Sequence, residues 1–252
     1  MMLAVFEKSI GQGPEELTSP TSKRAANQKS GMEIMNSFVS SMSQAISIRF
    51  GDGGGGGMAY AHVKETVRQP RLFASVDDIF CIFVGTLENL CVLRRQYGLS
   101  KTTTEANLVI EVYKTLIERG PYPADQVVKD MDGHFAFVLF DNKRTTIFAA
   151  VDGDGSVPLF WGTAVDGSLV FSDDPTILQD GCGKSFAPFP AGCMFWNGGG
   201  LQSFEHPLNK MKAIPRVDNE GHECGANFKV DKFTRINSIR RVDSAANWAT
   251  SV

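Results

Sequence analysis

The sequence predicts an α+β domain, and three observations carry that prediction. The first is the stretch 127–162, in which short apolar runs alternate with polar turns. Phe135, Ala136, Phe137, Val138, Leu139 and Phe140 make an aromatic and branched run, the composition of a strand buried on both faces. A polar turn at 141–144 leads to a second strand at 145–151, and the Asp-Gly-Asp-Gly of 152–155 breaks it. A third strand begins at Val157, and Asp166-Gly167 turns the chain into a fourth at 168–171, which together read as a meander of hairpins. The second observation is a pair of upstream segments, 87–97 and about 102–118, with apolar residues at helical spacing. The third is a hydrophobic content of 42% with 18 phenylalanines, enough for a sizeable core.

Taken in order, 2–10 holds Leu3, Ala4, Val5 and Phe6 and reads as a short buried strand. The Gly-, Pro-, Ser-, Thr-, Gln- and Lys-rich stretch 11–30 reads as loop. Met32, Met35, Phe38, Val39, Met42 and Ile46 recur near helical spacing, and 46–50 reads as a strand. The polyglycine stretch 51–57 reads as a flexible loop. Strands follow at 58–62 and 72–75, with Pro70 between them, and a central strand at 78–85 ends at Gly85. Leu87, Leu90, Cys91 and Leu93 form the inner face of the next helix, which Gly98 closes. Thr102, Thr103, Thr104 and Glu105 make a capping-type start to a helix whose apolar face is Leu108, Val109, Val112, Tyr113, Leu116 and Ile117. Gly120-Pro121 stops it, and a short helix at 124–131 enters the meander. After Phe171, the sequence at 172–175 caps a short helix at 176–179. A Phe-Pro-Ala-Gly turn at 189–192 feeds a strand at 193–196, and 198–204 completes a hairpin. Beyond His206 the chain is polar and reads as loop, with residues after about 229 peripheral.

The 252 residues are therefore divided into one domain, 1–228, with loop insertions at about 11–30 and 51–57, and a tail, 229–252. A net charge of -3 gives no footprint for nucleic acid or a membrane surface. No apolar run reaches the roughly 18 residues of a membrane span. The first residues lack the charged start and long apolar stretch of a secretory signal. Five cysteines at irregular spacing suit reduced thiols in the cytoplasm or nucleus better than a disulfide framework.

Motifs with direct chemistry are few. The glycine loop 51–57 runs into Met58 rather than Lys-Ser/Thr, and Gly183-Lys184-Ser185 has Leu178 where a phosphate loop needs glycine, so neither reads as a phosphate site. Asp152-Gly153-Asp154-Gly155 resembles the start of a calcium loop, but Thr163 stands at the twelfth position and a turn is the better reading. His222 and Cys224 with Cys182, Cys193 or His206 lack a C-x-x-C pair and read poorly as zinc ligands. His62 and His134 read as satisfied core or surface residues, and Cys81 and Cys91 as buried small hydrophobes. No cofactor is expected.

One set of motifs is jointly specific over about 60–205. It comprises Val84-Gly85 with Glu88-Asn89, Tyr97-Gly98, Thr104-Glu105, the Met-Asp-Gly-His-Phe-Ala-Phe of 131–137, Val151-Asp152-Gly153, Pro158-Leu159-Phe160, Phe171-Ser172 and the Phe-Pro-Ala-Gly of 189–192. In this order they resemble the glutaminase domain of class II glutamine amidotransferases, most closely the amino-terminal half of asparagine synthetase. The resemblance implies an αββα sandwich of two stacked sheets, the N-terminal-nucleophile hydrolase fold. The whole chain is more similar still to the plant aluminium-induced, or stem-specific, proteins with YGL and LRDR motifs. Tyr97-Gly98-Leu99 matches the first motif, and Leu116-Ile117-Glu118-Arg119 is a degraded form of the second. The start (3–8) and the end (244–249) also look like that family.

The amidotransferase resemblance implies a terminal cysteine nucleophile, an Asn-Gly oxyanion pair and acidic and arginine groups that hold the amino acid. Positions 1–3 are Met, Met and Leu, so the nucleophile is expected to be absent. Val84-Gly85 stands for the oxyanion pair, which keeps the glycine N–H and loses the amide donor. Thr86 replaces the first acidic group, Glu105 stands for the second, and no arginine aligns. No catalytic residue is assigned. The candidate remnant ligand pocket is Gly85, Thr86 and Glu105. The expected function is a non-catalytic stress- or hormone-responsive plant protein, a binding or regulatory module for a protein partner or a small amino-acid-like ligand. The alternatives are an amidohydrolase with an unconventional nucleophile and an amino-acid sensor. Exposed sandwich edges are compatible with a homodimer.

Overall fold

Two strands of consecutive apolar residues set the architecture. In β6 (Gly133–Asp141), Ala136, Val138 and Phe140 face one core while Phe135, Phe137 and Leu139 face another. Its neighbour β5 (Ile79–Leu87) divides its side chains in the same way, Ile82 and Val84 to one side, Cys81 and Phe83 to the other. A strand with both faces buried lies between two packed layers, and each buried phenylalanine contributes roughly 1.5–3 kcal/mol. The computed structural model describes residues 1–19, 28–42, 44–51, 55–61, 70–118, 124–217, 221 and 223–235.

The remaining elements are β1 (Met2–Phe6), α1 (Gly31–Ser41), β2 (Ala45–Arg49), β3 (Gly56–Ala61), β4 (Arg71–Val76), α2 (Leu90–Gln96), α3 (Glu105–Glu118), α4 (Ala124–Lys129), β7 (Thr146–Val151), β8 (Phe160–Thr163), β9 (Leu169–Ser172), α5 (Pro175–Cys182), β10 (Phe186–Pro188), β11 (Cys193–Trp196), β12 (Gly200–Ser203), β13 (Asn209–Val217) and β14 (Glu223–Arg235). One six-stranded sheet has the order β10-β8-β9-β1-β3-β2 and the other β12-β11-β7-β6-β5-β4. The two sheets share an aromatic core around Phe6, Phe140, Trp161 and Phe171. Helix α3 covers the outer face of the second sheet, against β4 and β5. Helices α1 and α5 cover the outer face of the first, through Ile34, Met35, Phe38 and Leu178. This is the four-layer αββα sandwich that the resemblance implies. The caps are those the sequence encodes: Ser30 and Glu33 make a reciprocal capping box on α1, and Asp174 caps α5 ahead of Pro175. No helix among the described residues is long and apolar enough to cross a membrane.

Five expectations need correction. The four-strand meander is not one sheet: β6 and β7 pair in the second sheet, β8 and β9 in the first. The chain crosses between the sheets over 152–159, a change of sheet that local alternation cannot encode. Strand β5 does not stop at Gly85 but continues to Leu87, since Gly85 takes φ +109 and stays in register opposite Phe135. Gly56 and Gly57 are strand residues, not loop, because a Cβ at either would stand 2.2 Å from Val5 O or 2.6 Å from Ile48 O. Helix α1 ends at Ser41, so Ile46 lies on the edge strand β2, more than half exposed.

The fifth concerns the chain beyond His206. It forms an antiparallel hairpin of β13 and β14, and β14 runs through position 229. Phe228 packs on Trp161, and Met211, Ala213 and Val230 lean on the same core. The Arg216 guanidinium stacks over Phe186 and donates to the carbonyls of Lys184, Phe186 and Cys224. Strand β13 lies beside β12 and β14 beside β10, so the hairpin covers one open side of the sandwich. His62, Gly120, Pro121, Arg119, His222 and the segments 20–27 and 236–252 lie outside the described residues.

Candidate functional site

The site lies where the start of β1 meets β4 and β5. Cross-strand pairing sets Arg71 opposite Val84, which faces the core between the sheets. Asp173 follows the last residue of β9, the neighbour of β1. Its Oδ1 accepts the main-chain N–H of Met2 at 2.7 Å, and its Oδ2 accepts both Nε and Nη2 of Arg71 at 2.7 Å. The side chains are 3% and 15% exposed, so the pair is largely desolvated. Ser172 donates its hydroxyl to Met2 O at 2.8 Å and accepts Asp174 N–H at 3.1 Å. The start of β1 is thus enclosed by protein donors and acceptors. The side chains of β1, Met2 to Phe6, are apolar and buried, and none can attack an amide.

The sequence-derived pocket residues are Gly85 and Thr86 on β5 and Glu105 at the start of α3. Gly85 is buried, and a Cβ there would stand 2.0 Å from His134 O, which explains the glycine. Its N–H donates to Pro70 O at 2.9 Å and is not available to an oxyanion. Thr86 pairs opposite His134. Glu105 opens α3 on the other face of the second sheet, and among the described residues no hydrogen bond or ion pair joins it to Gly85 or Thr86.

His134 belongs to a hydrogen-bonded chain that sequence reasoning missed. Asp152, 2% exposed, accepts Phe135 N–H at 2.9 Å, Ser156 N–H at 3.1 Å and the Ser156 hydroxyl at 2.8 Å. Ser156 Oγ lies 2.9 Å from His134 Nδ1. Ser156 donates its hydroxyl to Asp152, which leaves its oxygen placed to accept from His134 Nδ1. The Asp152 carboxylate is satisfied by protein donors, as its structural reading expects, and Thr163 lies on β8 rather than in an ion loop. A cleft of about 410 Å³ lies alongside, with Asp132, Asp152, Asp154 and Glu205 among its walls; Gly85, Thr86 and Glu105 are not among them.

Thiol chemistry is suppressed by burial. Burial pushes the Cys81 thiol far up, and pushes Cys182 up to about 12, with the Asp166 carboxylate adding to it. Cys193 is likewise pushed up to about 12, by burial first and by Glu205 second. A nucleophilic cysteine needs the opposite shift. Cys91 is exposed, not buried on the inner face of its helix as the sequence reading expects; Cys224 is buried, and among the described residues no three His, Cys, Asp or Glu side chains gather to hold a metal.

Arg71 and Asp173 carried one readable signal: a charge just before one predicted strand, and an acid shortly past the end of another. Their pairing, 102 positions apart, carried none.

Comparison with known proteins agrees with the fold. A family profile described as Aluminium induced protein matches residues 3–230. The stem-specific protein TSJT1 of Nicotiana tabacum is 45% identical over 150 residues, 59% of this chain and 99% of that protein. A probable glutamine-hydrolyzing asparagine synthetase of Dictyostelium discoideum is 37% identical over 95 residues, which span 38% of this chain but 16% of that protein. Asparagine synthetase 2 of Oryza sativa subsp. japonica is 33% identical over 116 residues, 46% of this chain and 18% of that protein. The B. subtilis glutamine phosphoribosylpyrophosphate amidotransferase, complexed with ADP and GMP, superposes with a TM-score of 0.50 at 15% identity, covering 83% of this chain and 50% of that one. That likeness is one of fold.

Proposed function

Since this chain belongs to the Aluminium induced protein family, we propose that it is a glutaminase-like module that does not hydrolyse glutamine and serves plant stress responses by binding. The observation that carries this reading is that the Gly85 N–H, the one donor left of the resembled oxyanion pair, is held by Pro70 O. Amide hydrolysis needs donors aimed at a developing oxyanion, and losing one such donor typically costs about 10²–10³ in rate. The apolar side chains of β1 and the suppressed thiols of Cys81, Cys182 and Cys193 support it further.

A second reading is an amino-acid sensor. It draws on Arg71 and Asp173, opposite charges side by side that match the carboxylate and ammonium of an amino acid, close in the chain's register to Gly85 and Thr86. Incubation with glutamine and an ammonia assay separates an amidohydrolase from both readings. A thermal-shift series with single amino acids separates the sensor from the first reading, because a native-state ligand raises the midpoint progressively with concentration. Asp173→Asn removes the sensor's shift if the pair forms the site and leaves it intact if ligand binds elsewhere.

A further inference from the structure

We propose that the outward face of the β13–β14 hairpin is a docking surface for an acidic segment of another protein. The inward face, with Met211, Ala213, Phe228 and Val230, packs on the core. The pairing that sets this face also places Lys212 directly opposite Lys229, both exposed. Like charges opposite one another destabilise a two-stranded sheet, so folding alone gives no reason for the arrangement. Lys210, two residues from Lys212, extends the row, Lys232 and Arg235 lie further along β14 beyond a register shift, and all three are exposed. Among the described residues, none of these five side chains takes part in an ion pair. Asp231 is the lone acid among them, and its carboxylate accepts the N–H groups of Phe233 and Thr234. Exposed apolar side chains lie on the same hairpin: Ile214, two residues from Lys212, is 39% exposed and Phe233 97%. A cationic row with apolar anchors is the complement of an acidic segment that carries a few apolar side chains.

Other occupants fit less well. A symmetric second copy would set lysine row against lysine row. The chain after Arg235 brings Arg240 and Arg241, which add to the positive charge. An anionic bilayer or a nucleic acid meets the field of the whole molecule, whose net charge is -3. A short segment reads only charges within the screening length of about 8 Å. On its other side Lys212 borders a groove of about 630 Å³ walled also by Glu15 and Glu16, and those carboxylates keep an acidic segment on the outward face.

The test is fluorescence anisotropy of the full chain with a short fluorescein-labelled Glu-rich peptide carrying two leucines. A peptide with Lys in place of each Glu, phosphatidylserine vesicles and duplex DNA serve as the other arms. The Glu peptide is expected to bind, to weaken as salt rises, and to bind about tenfold more weakly to the Lys212→Glu/Lys229→Glu variant. Lys212→Arg/Lys229→Arg, which keeps the charge, should bind as the parent does, and both variants should keep the parent's thermal midpoint. Absence of binding at low salt, equal binding of the Lys peptide, indifference to the charge reversal, or preferred binding to vesicles or DNA overturns the proposal.

Discussion

Asp173 holds Arg71 at 2.7 Å across the gap between the two sheets, joining the end of β9 to the start of β4. Removing one partner of a largely buried pair leaves the other charge without compensation. Arg71→Met should therefore destabilise the fold by about 3 kcal/mol, because it strands the 3% exposed Asp173 carboxylate, and Asp173→Ala by a similar amount, because the guanidinium left behind is partly solvated but Met2 N–H also loses its acceptor. Urea unfolding of the two single variants and the double variant measures the coupling; strictly additive losses would show that the pair does not act as a unit.

Two glycines separate backbone need from open space. At Gly85, φ is +109 and a Cβ would meet His134 O at 2.0 Å, so Gly85→Ala should cost more than about 3 kcal/mol. A Cβ on Gly198 meets nothing within 4 Å, and Gly198→Ala should stay within about 0.5 kcal/mol of the parent. Denaturation midpoints of the two variants give the comparison.

Tyr113 on α3 donates to Asp141 Oδ2 at 3.1 Å. Burial first, and the Asp141 carboxylate second, raise the Tyr113 phenol well above its ordinary value. A raised folded-state value means that the neutral phenol is favoured in the native protein. The associated stability is fully present below the unfolded value of about 10 and falls as pH climbs above it. Tyr113→Phe should lose about 1 kcal/mol near neutrality and show a shallower loss of stability above pH ~10 than the parent. Urea midpoints across that range check the sign.

Cysteine accessibility gives a chemical prediction. Cys91 is exposed, while Cys81, Cys182, Cys193 and Cys224 are buried. Iodoacetamide at neutral pH should label Cys91 first in the native protein, and the other four only after denaturation. Peptide mass spectrometry reads the order, and early labelling of Cys182 or Cys193 would contradict the burial that suppresses them.

The fold was legible where chemistry is local. The uninterrupted apolar runs of β5 and β6 announce burial on both faces, and Asp174 and Pro175 mark a helix start that the structure keeps. The hairpin of β13 and β14 escaped because the alternation of Lys210 to Ala213 is short and broken by Ile214-Pro215, while Met211, Ala213 and Phe228 are too sparse to stand out. The division of β6–β9 between two sheets escaped because alternation fixes which face a residue takes, not which sheet its strand joins. In the site, Gly85 was legible as a backbone requirement. Its engagement by Pro70, and the reach of Asp173 to Met2, depend on contacts between distant segments.

The central claim is that this scaffold binds without turning over glutamine, and ammonia release tests it most directly. Purified chain incubated with saturating glutamine, followed by a coupled ammonia assay, should match the protein-free control. Ammonia release that saturates with glutamine and scales with protein concentration would contradict the account.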